Sequence, residues 1–162
     1  MNARFDKWFD WLIPWEGTVY ENDPDDPGGE TKYGIDKRSH PKEDIRNLTR
    51  ERAKEIYLAE YWNKVKADDL PFGVGEVVAD IAVNCGYSRA AKWLQQATFI
   101  SSDGIIGPLT LEAAQQANRN ELVETLLDRR ELHYRSIAHG KLAKFLKGWL
   151  NRNDSLRNYV RV

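Results

Sequence analysis

Apolar residues recur at helical spacing along almost the whole chain, and one stretch near the amino terminus breaks the rhythm. Phe5, Trp8, Phe9 and Leu12 stand at i, i+3, i+4 and i+7, one face of an amphipathic helix. Pro14 disturbs the last turn of that helix, and Gly17 is a terminator just past Glu16. Thr49 is placed to cap a second helix carrying Ala53, Ile56, Tyr57, Tyr61 and Val65. Beyond Pro71, the residues from Val74 to Cys85 are apolar on most sides and predict a buried central helix ended by Gly86. Helices over 90–97 and 108–118 come next, then a long helix capped by Asn120 and a last helical stretch near 142–150. From 18 to 35 the pattern changes: Pro24, Pro27, Gly28 and Gly29 predict loop, turns and a short strand pair. The expected fold class is mainly α with one β-hairpin/loop lobe.

A chain of 162 residues, 41% hydrophobic, can bury a substantial core. Its 24 basic and 25 acidic residues argue against a dedicated nucleic-acid binder, whose affinity would come from a basic surface. The charge is uneven nonetheless. Residues 1–36 are acidic, and from Arg129 onward the chain is basic, which reads as a solvated helix face with attraction to anionic wall or membrane components as the lesser alternative. Cys85 is the only cysteine, so no intrachain disulfide can form, and it is expected to be a buried small apolar residue. No apolar run has the length of a signal-peptide core or a membrane span, so synthesis in the cytoplasm is expected.

Hydrolysis of a glycosidic bond usually takes two carboxyl groups, one protonated and one ionised, and residues 16–31 can supply both. Glu16 ends a helix containing Trp8, Trp11 and Trp15, and a carboxyl group set against indole rings loses hydration. Asp23, Asp25 and Asp26 lie in a polar loop where one of them can stay ionised, the others serving as turn formers. Asp25 and Asp26 are both candidates for the base. Pro24 and Pro27 break the ligand rhythm of a calcium loop, and His40, His133 and His139 lack metal-ligand spacing, so no metal is expected. Trp8, Trp62, Trp93 and Trp149 fall within helical apolar patterns and are expected in the core. Glu76, Asp80 and Asn84, at i, i+4 and i+8, form a polar stripe expected to reach solvent or line a cleft.

The spacing Glu16, eight residues, Asp25, five residues, Thr31 resembles the Glu/Asp/Thr triad of phage-type lysozymes. Trp15-Glu16-Gly17 followed by Asp25-Asp26-Pro27-Gly28-Gly29-Glu30-Thr31-Lys32-Tyr33-Gly34-Ile35 resembles glycoside hydrolase family 108, muramidases of phages and bacteria, although a second glycine after Glu-Gly is replaced here by Thr18. The likeness continues through Ala79-Asp80-Ile81-Ala82-Val83-Asn84-Cys85-Gly86, Leu94-Gln95-Gln96 and Asp103-Gly104-Ile105-Ile106-Gly107-Pro108. It implies a mainly α, lysozyme-like fold whose β-hairpin/loop lobe carries part of the active site. A catalytic part over 1–92 and a helical peptidoglycan-associated part over 93–162 would pack as one compact unit. Glu16 would be the general acid, with Asp25 and Thr31 holding the attacking water and Asp26, Tyr33, Asp80 and Asn84 meeting the substrate. The implied activity is cleavage of the β-1,4 bond between N-acetylmuramic acid and N-acetylglucosamine, without cofactor. The implied setting is a monomeric phage endolysin that reaches bacterial peptidoglycan in the periplasm through a separate holin. Lytic transglycosylase, chitinase and non-catalytic wall-binding module are the alternatives.

Overall fold

Asn2 opens the first helix: its side-chain oxygen accepts the amide of Phe5 at 3.0 Å, satisfying one of the free donors of the first turn. In the computed structural model, which describes residues 2–161, this helix is α1 (Ala3–Glu16). It turns Phe5, Trp8, Phe9, Leu12 and Ile13 inward, as its spacing predicts, and Pro14 sits in the last turn without ending it. Gly17 ends it at φ 82°, a conformation glycine adopts at no steric cost. Three short strands come after it, β1 (Glu21–Asn22), β2 (Glu30–Lys32) and β3 (Ile35–Asp36), antiparallel in that order, so the expected strand pair is a three-stranded sheet.

Contacts within the chain define two units, Met1–Glu60 and Tyr61–Val162. In the first, Thr49 caps α2 (Arg50–Tyr57) by accepting the amide of Arg52 at 3.1 Å. Ala53, Ile56 and Tyr57 are buried, with the Tyr57 ring 5.8 Å from that of Phe9. Arg50 bonds Asp10 and covers the Phe9 ring, and Lys54 pairs with Asp6 at 2.7 Å, so α1 and α2 are joined by apolar and ionic contacts alike. The helix expected to run on to Val65 instead passes into a π-helical turn, Leu58–Trp62, which contains the boundary between the units. A π turn adds a residue per turn and so shifts the phase of the residues after it, and Trp62 at its end is fully buried.

The second unit is built on α3 (Val74–Cys85), with α4 (Tyr87–Ala97), α5 (Pro108–Gln116), α6 (Arg119–Ile137) and α7 (Leu146–Tyr159) around it. Residues 92 and 93, where the sequence suggested a division, lie inside α4. The cap of α6 is Asn118, whose side chain accepts the amide of Glu121 at 3.1 Å; Asn120, the expected cap, is already helical. The last helical stretch is longer than expected, a 3-10 segment (Gly140–Phe145) leading into α7. Gln95, 1% exposed, ties down the Asp103–Pro108 loop: its amide donates to Asp103, Ile105 and Thr110, and its oxygen accepts the amide of Gly104. Cys85 is half-buried rather than buried, and burial pushes its thiol pKa up.

Two residues of the polar stripe on α3, Glu76 and Asp80, face inward, contrary to expectation. Glu76 is buried and accepts the amide of Gly73 at 2.6 Å, closing the start of its own helix. Asp80 is fully buried and receives Arg130 on Oδ2 at 2.6 Å and Arg152 on Oδ1 at 2.6 Å. Arg130 also donates to Asn153 at 2.8 Å, and Asn153 to the Leu127 carbonyl at 2.9 Å, so one polar hub joins α3, α6 and α7. Burial alone would raise the Asp80 pKa, but the two guanidinium charges and their hydrogen bonds outweigh it and hold the carboxyl below its ordinary range. Asn84 reaches the surface, where its side chain accepts the Tyr134 hydroxyl at 3.1 Å. No described helix is long and apolar enough to cross a membrane.

Candidate active site

The site in the first unit is assembled around a two-residue hairpin. Lys32 pairs with Ile35 and Thr31 with Asp36, leaving Tyr33 and Gly34 as the turn between β2 and β3. Their φ angles are 54° and 73°, both positive, as in a type I′ turn, and glycine is the residue that suits the second position. Glu16, half-buried at the end of α1, lies against this turn: a Cβ added to Gly34 would stand 2.6 Å from Glu16 Oε2. The Tyr57 hydroxyl donates to the Tyr33 carbonyl at 2.8 Å and fastens the turn to α2. Of the indoles near the end of α1, Trp8 is wholly in the core, while Trp15 is 37% exposed and Trp11 lies beside it with ring centroids 6.4 Å apart.

The aspartates divide by their bonds. Asp23 Oδ1 accepts the amide of Asp25 at 2.9 Å, and Asp26 Oδ1 accepts the amide of Gly28 at 2.8 Å, so both side chains are engaged in shaping the loop. Asp25 is exposed, and among the described residues no hydrogen bond or ion pair engages its carboxylate. Thr31, on β2 and half-buried, donates its hydroxyl to the Gly29 carbonyl across a long 3.4 Å. Tyr33 is half-buried at the turn itself. Beside the hairpin, Tyr20 donates to Glu30 at 2.6 Å under the Arg46 guanidinium, and that bond holds the Tyr20 pKa above its ordinary value.

Glu16, Thr31 and Tyr33 are thus brought to one end of α1 and the hairpin beside it, with Asp25 in the loop that feeds β2. Asp80 is not available to a sugar: it has no exposed surface, and both its oxygens are bonded to arginine. Gly34 and Tyr57 stand beside Glu16 although the sequence assigned neither a role: Gly34 was only part of the string that carries the family resemblance. Tyr57 sits on the apolar face of a helix, and helical spacing reports where its Cα lies but not where its hydroxyl reaches. No group of three or more His, Cys, Asp or Glu among the described residues is arranged to hold a metal ion. In the second unit, a cleft of about 650 Å³ is lined by Arg89, Trp93, Arg129, Leu132 and His133, among others.

Known proteins resemble the chain at the level of both family and structure. The family described as Glycosyl hydrolase 108 matches residues 9–86, and the one described as Predicted Peptidoglycan domain matches residues 89–154. Among solved structures the chain is similar to SagA of Brucella abortus, with 34% sequence identity and a TM-score of 0.82, over 96% of this chain and 92% of that one. No curated protein matches.

Proposed function

Since the chain belongs to the glycosyl hydrolase 108 family and is a peptidoglycan hydrolase, we propose that it is an N-acetylmuramidase that cuts the β-1,4 bond between N-acetylmuramic acid and N-acetylglucosamine. One observation carries the reading: Glu16 is held against a rigid turn, while in the neighbouring loop Asp25 alone of three aspartates keeps an unengaged carboxylate. Glu16, as the acid, gives its proton to the glycosidic oxygen. The Asp25 carboxylate takes a proton from a water molecule, which attacks the anomeric carbon from the opposite face. The Thr31 hydroxyl can turn from its long bond to Gly29 and orient that water. Asp26 is the weaker candidate for the base because its carboxylate is already spent on the Gly28 amide. This arrangement inverts the anomeric centre and needs the two carboxyl groups ~6.5–9.5 Å apart in the sugar complex, to leave room for the water.

Glu16→Gln tests the assignment, because the amide keeps shape and bonding but has no proton to give. Turnover on purified sacculi should fall ~10²–10⁴-fold with the circular dichroism spectrum unchanged. Near-wild-type clearing by the folded variant would remove Glu16 from the mechanism. Mass spectrometry of the wild-type products reads the reaction itself: reducing muramic acid ends support hydrolysis, and anhydro ends would make the chain a lytic transglycosylase. The same reading assigns a monomer acting as a phage endolysin. Lysis of a Gram-negative host expressing it should then depend on a co-expressed holin.

A further inference from the structure

Three atoms converge over the α-carbon of Gly34. A Cβ at that position would lie 2.5 Å from the Tyr57 hydroxyl oxygen, 2.6 Å from Glu16 Oε2 and 3.0 Å from Glu16 Cβ. The space that every other amino acid would fill with its own carbon is therefore shared by the Glu16 carboxyl and the Tyr57 hydroxyl. Neither neighbour is the loose end of a surface chain. Tyr57 is 1% exposed, its ring lies against Phe9 and its hydroxyl is anchored to the Tyr33 carbonyl. Glu16 is held by the last turn of a helix whose other side is the core.

We propose that Gly34 and Tyr57 are positioning residues for Glu16: the missing side chain of Gly34 makes the berth for the carboxyl group, and Tyr57 closes its far wall. The proposal rests on the reading of Glu16 as the acid. The hydroxyl contributes in a specific sense. It has one proton, and that proton is given to the Tyr33 carbonyl, a group that can only accept. Toward Glu16 it therefore offers only lone pairs, so it walls the berth and fixes where the carboxyl group can lie while the carboxyl proton is left for the glycosidic oxygen. The same bond ties the berth to the turn, so helix end, hairpin and α2 fix one another around the reacting group.

Tyr57→Phe and Gly34→Ala, each alone and combined with Glu16→Gln, test this on sacculi, with kcat and KM measured separately and melting temperature as the control for folding. Tyr57→Phe keeps the ring against Phe9 and loses only the hydroxyl, so kcat should fall ~10-fold with KM changed little. Gly34→Ala should lower kcat ~10²-fold, the scale of a 1 Å misplacement of a reacting group. In the Glu16→Gln background neither should lower the residual rate further, because a residue acting through Glu16 has nothing left to position. Undiminished kcat in Tyr57→Phe, or losses that multiply with that of Glu16→Gln, would overturn the proposal while leaving the acid in place. Turnover retained by Glu16→Gln would overturn both. If Gly34→Ala does not fold, Tyr57→Phe alone decides.

Discussion

Neighbouring aspartates in one loop have been given different work by backbone hydrogen bonds. Asp26→Asn preserves the bond from Gly28, since the amide oxygen accepts as the carboxylate does, so it removes charge and little else. Asp25→Asn removes the proposed base. Turbidity clearing should therefore fall ~10²–10⁴-fold in Asp25→Asn and less than ~10-fold in Asp26→Asn, with Thr31→Ala between them, because a hydroxyl positions water without taking its proton. The opposite order at 25 and 26 would move the base to Asp26. The distinction could not be read from the sequence, in which two adjacent aspartates between prolines are equivalent; it depends on which carboxylate the turn bends back on itself. Glu16 could be proposed from the sequence because its helix, its terminator and the spacing to Asp25 and Thr31 are all local. The roles proposed for Gly34 and Tyr57 were not, because they lie in a contact among residues 16, 34 and 57 that no helical or hairpin period encodes.

Periodicity located the helices well and their termini less well. The shift of the α6 cap from Asn120 to Asn118 is the plainest case, since either asparagine could precede the apolar run and the choice is made by which side chain meets the Glu121 amide. Asn118→Ala should lower stability by ~1 kcal/mol in urea unfolding and Asn120→Ala by much less; equal losses would contradict the assignment. The stripe on α3 is a more instructive difference. A polar row on an apolar helix was expected to reach solvent or line a cleft, but the counter-charges of Asp80 come from Arg130 and Arg152, 50 and 72 residues further on. Asp80→Asn would leave two buried guanidinium groups facing a neutral amide and should cost ~3–5 kcal/mol. Because the folded state holds the Asp80 pKa below its ordinary value, its stabilisation is complete above about pH 4 and is lost as the pH falls through the lower, folded value. Thermal melting of wild type against Asp80→Asn from pH 6 to pH 2 should show the gap between them closing only at the acid end. A gap that stays constant would mean that Asp80 does not titrate with folding.

Across the whole chain, the basic carboxyl-terminal segment is less free than its composition implies. Arg130 and Arg152 are buried on Asp80, Arg135 pairs with Glu131, and Arg157 binds Glu124, Asp128 and Asp154, so many of its cations are balanced internally. Wall binding by full-length Glu16→Gln, which should hold sacculi without cutting them, is accordingly expected to weaken only ~3-fold or less between 50 and 300 mM salt in a sedimentation assay. A steep loss would mean that the exposed lysines near the carboxyl end carry the binding. The mainly α architecture with a hairpin lobe was legible from the one break in an otherwise helical pattern, while the unit boundary at 60/61 was not, because it falls in a π turn within what reads as unbroken helix. The Asp80 hub also sets a chronology. On a nascent chain, α3 emerges long before Arg130 and Arg152, and until α7 is made Asp80 lacks half of the positive charge that allows its burial. The second unit is thus latched by α7, made later than the rest of the hub, and a chain interrupted before residue 152 carries an unlatched core, ready for proteolysis and not for the wall.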